Sequence, residues 1–156
     1  SVYMRLTGGT KIPPIYKEDY EFEIGKAINL RNGRDITIIA SGTMVYESLV
    51  AADILFENNI SSTVVNMHTI KPIDSDAIQK ACNSSKLIVT VEEHSIIGGL
   101  GAAVAEIKTT LQNAPPQLII GLPDKYDKGG EYHDILERHG LNGQLIAKRI
   151  ESQLNI

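Results

Sequence analysis

The chain of 156 residues has one cysteine, Cys82, no tryptophan and only two phenylalanines. A lone thiol excludes an intrachain disulfide and fits a reducing compartment. Apolar runs near the ~20 residues a membrane helix needs are missing, as is a basic-then-apolar leader. A cytoplasmic location with no membrane partner is therefore the default expectation. A surplus of basic residues is also missing. The formal net charge is −4, which does not suit a phosphate backbone and argues against nucleic acid as a partner. His133 and His139 stand six apart, not at the i, i+4 spacing that puts two ligands on one helix face, and His68 and Cys82 are scattered. No metal site is expected from them. No Gly-x-x-x-x-Gly-Lys-Ser/Thr phosphate loop is present either.

What remains is an ordinary globular composition, 42% hydrophobic and 22% charged, long enough for one compact domain with a short tail. The first residue is Ser1 rather than Met. That start suggests a processed chain or an excised fragment, and a tag remnant would look similar.

Residues 1–25 differ from the rest. Val2 to Leu6 is a short β-prone run, followed by Gly8-Gly9, Pro13-Pro14 and a charged, tyrosine-flanked stretch. Such punctuation reads as a strand end and an extended linker, its parent sheet lying elsewhere. Residues 26–156 alternate regularly. Ala27 to Leu30 predicts a strand, and the Asn32-Gly33 pair predicts a hairpin that sets it antiparallel to the next strand, Ile36 to Ala40. Val45, Leu49, Ala52 and Phe56 predict the inner face of a helix, with Glu47, Asp53 and Glu57 outside. Further strands are predicted at Ser62 to Met67, Leu87 to Val91 and Gln117 to Ile120. Asp74 and Asn142 are placed as helix N-caps. Alternating strands and helices imply a three-layer α/β/α domain: five strands, mostly parallel, with one antiparallel strand at an edge.

The most suggestive chemistry is Glu92-Glu93-His94-Ser95-Ile96-Ile97-Gly98-Gly99-Leu100-Gly101, between a strand and a helix. That is the carboxyl edge of a parallel sheet, where such folds bind ligands, and amides at the helix start can hold an anion. A stand-alone nucleotide- or phosphate-binding module is thus one reading. The fingerprint spacing is incomplete, however, and no acidic residue follows the next strand to hold a ribose. The bland alternative is that Gly98, Gly99 and Gly101 serve a tight turn and close packing. Glu92 and Glu93 are adjacent, so in a strand they point to opposite faces and form no acid/base pair. His94 has a suitable pKa range for proton transfer, but no nucleophile motif accompanies it. Asp124 to Lys128 is a charged loop on the same edge. Arg5 ends an apolar run, where a guanidinium suits a phosphate or carboxylate. No complete catalytic constellation emerges.

Five collinear stretches carry a resemblance: Val2 to Leu6, Ile36 to Val45, His68 to Asp74, Val91 to Gly101, and Gly121 to Tyr126. Together they resemble the C-terminal third of transketolase-family, thiamine-diphosphate-dependent enzymes, over nearly the whole chain. The resemblance implies a packing and dimerisation domain, inactive alone, within an enzyme that moves a two-carbon ketol unit between sugar phosphates. Deoxyxylulose-phosphate synthase and 2-oxo acid dehydrogenase β subunits share the pattern. It further implies that thiamine diphosphate and Mg²⁺ are held by other domains or a partner subunit of a homodimer, with no cofactor on this chain. Residues 1–7 then resemble the last strand of a preceding pyrimidine-binding domain, with Arg5 as a sugar-phosphate contact in the intact enzyme. Glu92, Glu93, His94 and the glycines look like an interface loop.

Overall fold

The computed structural model describes residues 1–6 and 12–155. Its centre is a sheet of five strands in the order β1-β3-β2-β4-β5, in which only the β1–β3 pair is antiparallel. The strands are β1 (Ile28–Arg31), β2 (Ile36–Ala40), β3 (Ser62–Asn66), β4 (Leu87–Ser95) and β5 (Gln117–Leu122). The helices are α1 (Met44–Glu57), α2 (Ser75–Ser84), α3 (Leu100–Lys108), α4 (Tyr132–Arg138) and α5 (Gly143–Leu154). The three-layer architecture read from the sequence is the one observed.

Alternation along the central strands builds the two cores. Ile36, Ile38 and Ala40 of β2, with Leu87, Val89 and Val91 of β4, turn to the face covered by α1, α4 and α5. Ile39 and Ile88 turn to the opposite face, against Ile78 of α2 and Leu100 and Val104 of α3. All five residues of β2 are buried, as a strand covered on both sides requires. Asp74 caps α2 by accepting from the Ala77 N–H, and Asn142 caps α5 by accepting from the Leu145 N–H. Both caps were legible in the sequence.

Three expectations need correction. β1 does not form a hairpin with β2; it lies antiparallel beside β3 at the sheet edge. The Asn32-Gly33 turn instead carries the chain across the start of β3. The Gly33 N–H donates to Thr63 Oγ1, and a Cβ on Gly33 would fall 2.2 Å from the Ser62 carbonyl carbon. Residues 1–6 are exposed and pair with no strand of this sheet, which leaves open a sheet outside this chain, while Gly8 and Gly9 lie outside the described residues. Phe56 is not inward: it is 63% exposed, with the Arg31 guanidinium over its ring and bonded to Asp53. Leu55 takes the core position because the buried stripe runs through Met44, Ser48, Ala51 and Leu55. Finally, Glu47 is half-buried against α5, accepting from the Gly143 N–H at 2.6 Å, rather than turned to solvent.

Candidate functional site

Chain direction reverses between β2 and β4. From β2 the chain moves to β3, and from β4 it moves to β5, so the crevice outside the carboxyl ends of β2 and β4 is the topological switch point. Two loops meet there. One is Ser41-Gly42-Thr43, leading into α1. The other is the end of β4, which continues as strand through Glu92, Glu93, His94 and Ser95 before the glycine turn.

The strand alternation sends the two carboxylates to opposite sides. Glu92 is 3% exposed and reaches the first turn of α3, where its oxygens accept from the backbone N–H groups of Leu100 at 2.6 Å and Gly101 at 2.8 Å. These are the amides that would otherwise hold a phosphate. The positive end of α3 therefore already faces a buried negative charge. Gly98 adopts φ +74°, a conformation that favours glycine, and it lets the chain double back so that Gly99 lies against Glu92. A Cβ on Gly101 would strike Ile119 Cγ2 at 2.6 Å, so this glycine serves the packing of α3 on β5.

Glu93 points to the other face. Its carboxylate accepts from Thr43 Oγ1 at 2.5 Å and from the Tyr132 hydroxyl at 2.6 Å, joining the ends of β2 and β4 to α4. Burial, and then the bond to this carboxylate, push the Tyr132 hydroxyl up to about 12, so it stays protonated and donating. The Glu93 carbonyl accepts from Arg5 Nη1 at 3.1 Å. Neither Thr43 nor Tyr132 was singled out from the sequence. Thr43 carries a weak signal, since a Ser-Gly-Thr turn opens a helix, but nothing local marks Tyr132.

His94 is exposed, with Nδ1 3.0 Å from the Ser95 carbonyl and 3.9 Å from Glu92. No hydroxyl or thiol nucleophile bonds to it among the described residues. Farther along the edge, the charged loop lines a shallow cavity of about 400 Å³ with Leu122, Lys125, Lys128 and His139. Asp127 is held below the usual carboxylate range by the Lys128 N–H and by Arg138, and it also bonds His139 at 2.8 Å. His133 is exposed and stacks edge-on to Tyr132.

The linker covers the other end of the edge. Asn66 Nδ2 donates to the Tyr16 hydroxyl, the Tyr16 ring stacks on Tyr20, and Phe22 lies 4.5 Å from the His68 ring. Burial holds the His68 imidazole below its ordinary value. Among the described residues, no three His, Cys, Asp or Glu side chains gather to hold a metal ion, and no helix is long and apolar enough to cross a membrane.

The fold and site thus define a doubly wound α/β domain whose helix amides at the switch point are engaged by its own buried carboxylate. The transketolase C-terminal domain family matches residues 25–146, and the chain belongs to it. It is 44% identical over 148 residues to one of the subunits of an apulose-4-phosphate transketolase from Phocaeicola vulgatus, covering 94% of this chain and 46% of that protein. It is 41% identical over 154 residues to a 1-deoxy-D-xylulose-5-phosphate synthase from Synechococcus, covering 97% of this chain and 24% of that enzyme. A solved split-gene transketolase, described as an inactive beta4 tetramer, superposes with a TM-score of 0.83 at 33% identity, over 92% of this chain and 46% of that one. The chain spans about half the length, or less, of these relatives. The stand-alone nucleotide-module reading is not favoured by these relationships, and Glu92 gives the physical reason.

Proposed function

We propose that this chain acts as the C-terminal packing and dimerisation part of a transketolase-type enzyme that transfers a two-carbon ketol unit between sugar phosphates. Thiamine diphosphate and a divalent metal belong to other domains or a partner subunit. The carboxyl edge of this chain does not fit a diphosphate: Glu92 and Glu93 stand at the switch point, and the α3 amides are engaged. Residues 1–25 serve as the end of a preceding pyrimidine-binding domain and its linker, with Arg5 as a sugar-phosphate contact and residues 26–156 as the C-terminal-like domain. The Glu92-Glu93-His94 and glycine loop faces the neighbouring domain or subunit. Exposed apolar residues support this placement: Ile97 at 64%, Met4 at 70% and Leu6 at 81% are large for free surface. The enzyme works as a homodimer in the cytoplasm, and the isolated chain is inactive. Relatives described as one subunit of a transketolase and as a split-gene transketolase support a partner subunit.

The observation that carries this reading is family membership, combined with α3 amides already taken by the Glu92 carboxylate. The test is reconstitution. The chain alone gives no ketol transfer, and the chain combined with the thiamine-diphosphate-binding part gives ketol transfer between sugar phosphates. Turnover by the chain alone contradicts the proposal. A member acting as a deoxyxylulose-phosphate synthase would instead join the two-carbon acyl unit of a 2-oxo acid to an aldehyde phosphate, with the acid's carboxyl group leaving as carbon dioxide.

A further inference from the structure

We infer that Glu93 is a positioning residue that aims Arg5 at an anionic substrate while leaving the guanidinium charge free. The inference rests on the reading of Arg5 as a sugar-phosphate contact. It starts from the ladder of β4. Carbonyls alternate sides along a strand. Those of Glu92 and His94 face β5, since a Cβ on Gly121 would lie 2.8 Å from the His94 oxygen and 3.3 Å from the Glu92 oxygen. The Val91 carbonyl faces the other way and accepts from the Ser41 N–H. Register with β2 ends at Ala40 and Val91. The Glu93 carbonyl, two residues on, therefore projects past the end of β2 with no strand partner, and Arg5 Nη1 takes it.

That acceptor is held still from three sides. Thr43 at the start of α1 and Tyr132 at the start of α4 both bond the Glu93 carboxylate, and β4 carries its backbone. The division of labour within one residue is the point. Had the carboxylate taken Arg5, an ion pair would cancel the charge a phosphate needs. Instead the carboxylate is spent on two hydroxyl donors, and a neutral carbonyl orients the guanidinium through one N–H. Arginine has five such donors, so among the described residues four remain for an anion.

The test uses the enzyme assembled with its thiamine-diphosphate-binding part. KM and kcat are measured for a phosphorylated acceptor and for the same sugar without phosphate. Arg5→Ala raises KM for the phosphorylated acceptor about tenfold or more, as loss of a charge-assisted contact does. The pair Thr43→Val and Tyr132→Phe, which frees the carboxylate, raises that KM about three- to tenfold, with little change in kcat or toward the unphosphorylated sugar. The same pair adds nothing in the Arg5→Ala background. Thr43→Ser, which keeps the hydroxyl, behaves as wild type. If Arg5→Ala raises KM and the Thr43–Tyr132 pair does not, the positioning role is overturned while the substrate contact stands. If the pair lowers kcat on both sugars alike, Glu93 is merely structural and the inference fails. If Arg5→Ala changes nothing, the substrate-contact reading falls and takes this inference with it.

Discussion

The Glu92 carboxylate occupies the space that a side chain on Gly99 would need: a Cβ there would lie 2.0 Å from Glu92 Oε2. The two positions are thus one unit, a buried charge and the vacancy that admits it. Gly99→Ala forces the carboxylate off the Leu100 and Gly101 amides. A destabilisation of about 3 kcal/mol is expected, from overpacking and a disturbed charge-assisted bond. Urea denaturation checks it. The double variant with Glu92→Ala should lose less than the sum of the singles, because both act on one contact.

Tyr132 gives a prediction in pH. Its hydroxyl titrates near 12 in the folded chain, above the ordinary value of 10.0. The folded state therefore holds the proton more tightly than the unfolded state. The resulting stability is fully present below pH 10 and is lost as pH rises through about 12. After solvent screening, the loss attributable to this residue is about 1–2 kcal/mol. Urea midpoints at about pH 8 and pH 11 should fall less for Tyr132→Phe than for wild type.

His68 works in the opposite direction. Burial keeps its imidazole neutral below the ordinary value of 6.5. Its contribution is present above that value and is lost as pH falls below it, when the ring beside Phe22 must take up a charge. His68→Phe keeps a ring against Phe22 and removes the titration. Between about pH 7.5 and pH 5.5 the variant should lose less stability than wild type in matched urea titrations.

The edge strand offers a test of topology. A hairpin between β1 and β2 would leave Gly33 at an open turn, tolerant of a small side chain. In the observed path, Ser62 and Thr63 backbone atoms lie within 2.5 Å of the missing Cβ and cannot yield. Gly33→Ala should cost about 3 kcal/mol, the upper end for overpacking, measured by thermal or urea unfolding.

Comparing residues shows why some features were legible and others were not. β2 was readable because four consecutive β-branched residues, Ile36 to Ile39, run on into Ala40 with both faces buried, a signal contained in the strand itself. Asp74 and Asn142 were readable because a cap acts over three residues. The pairing of β1 was not, since Asn32-Gly33 specifies a turn but not which strand lies beyond it, and β3 inserts from 30 residues downstream. Phe56 misled because helical spacing alone does not say where the sheet beneath ends. The site divides in the same way. Opposite directions for Glu92 and Glu93 follow from strand alternation, and the glycines announced a close approach. The partners did not show: Glu93 meets Thr43 across 50 positions and Tyr132 across 39, distances over which no sequence period extends.

The most direct test of the central claim is titration calorimetry of this chain with thiamine diphosphate plus Mg²⁺, followed by ATP and NAD. The α3 amides are taken by Glu92, and Glu93 adds a second carboxylate beside the switch point, so no heat of specific binding is expected from any of them. Specific micromolar binding of a nucleotide or of thiamine diphosphate would mean that the carboxyl edge takes an anion, contradicting a packing domain whose α3 amides are held by Glu92.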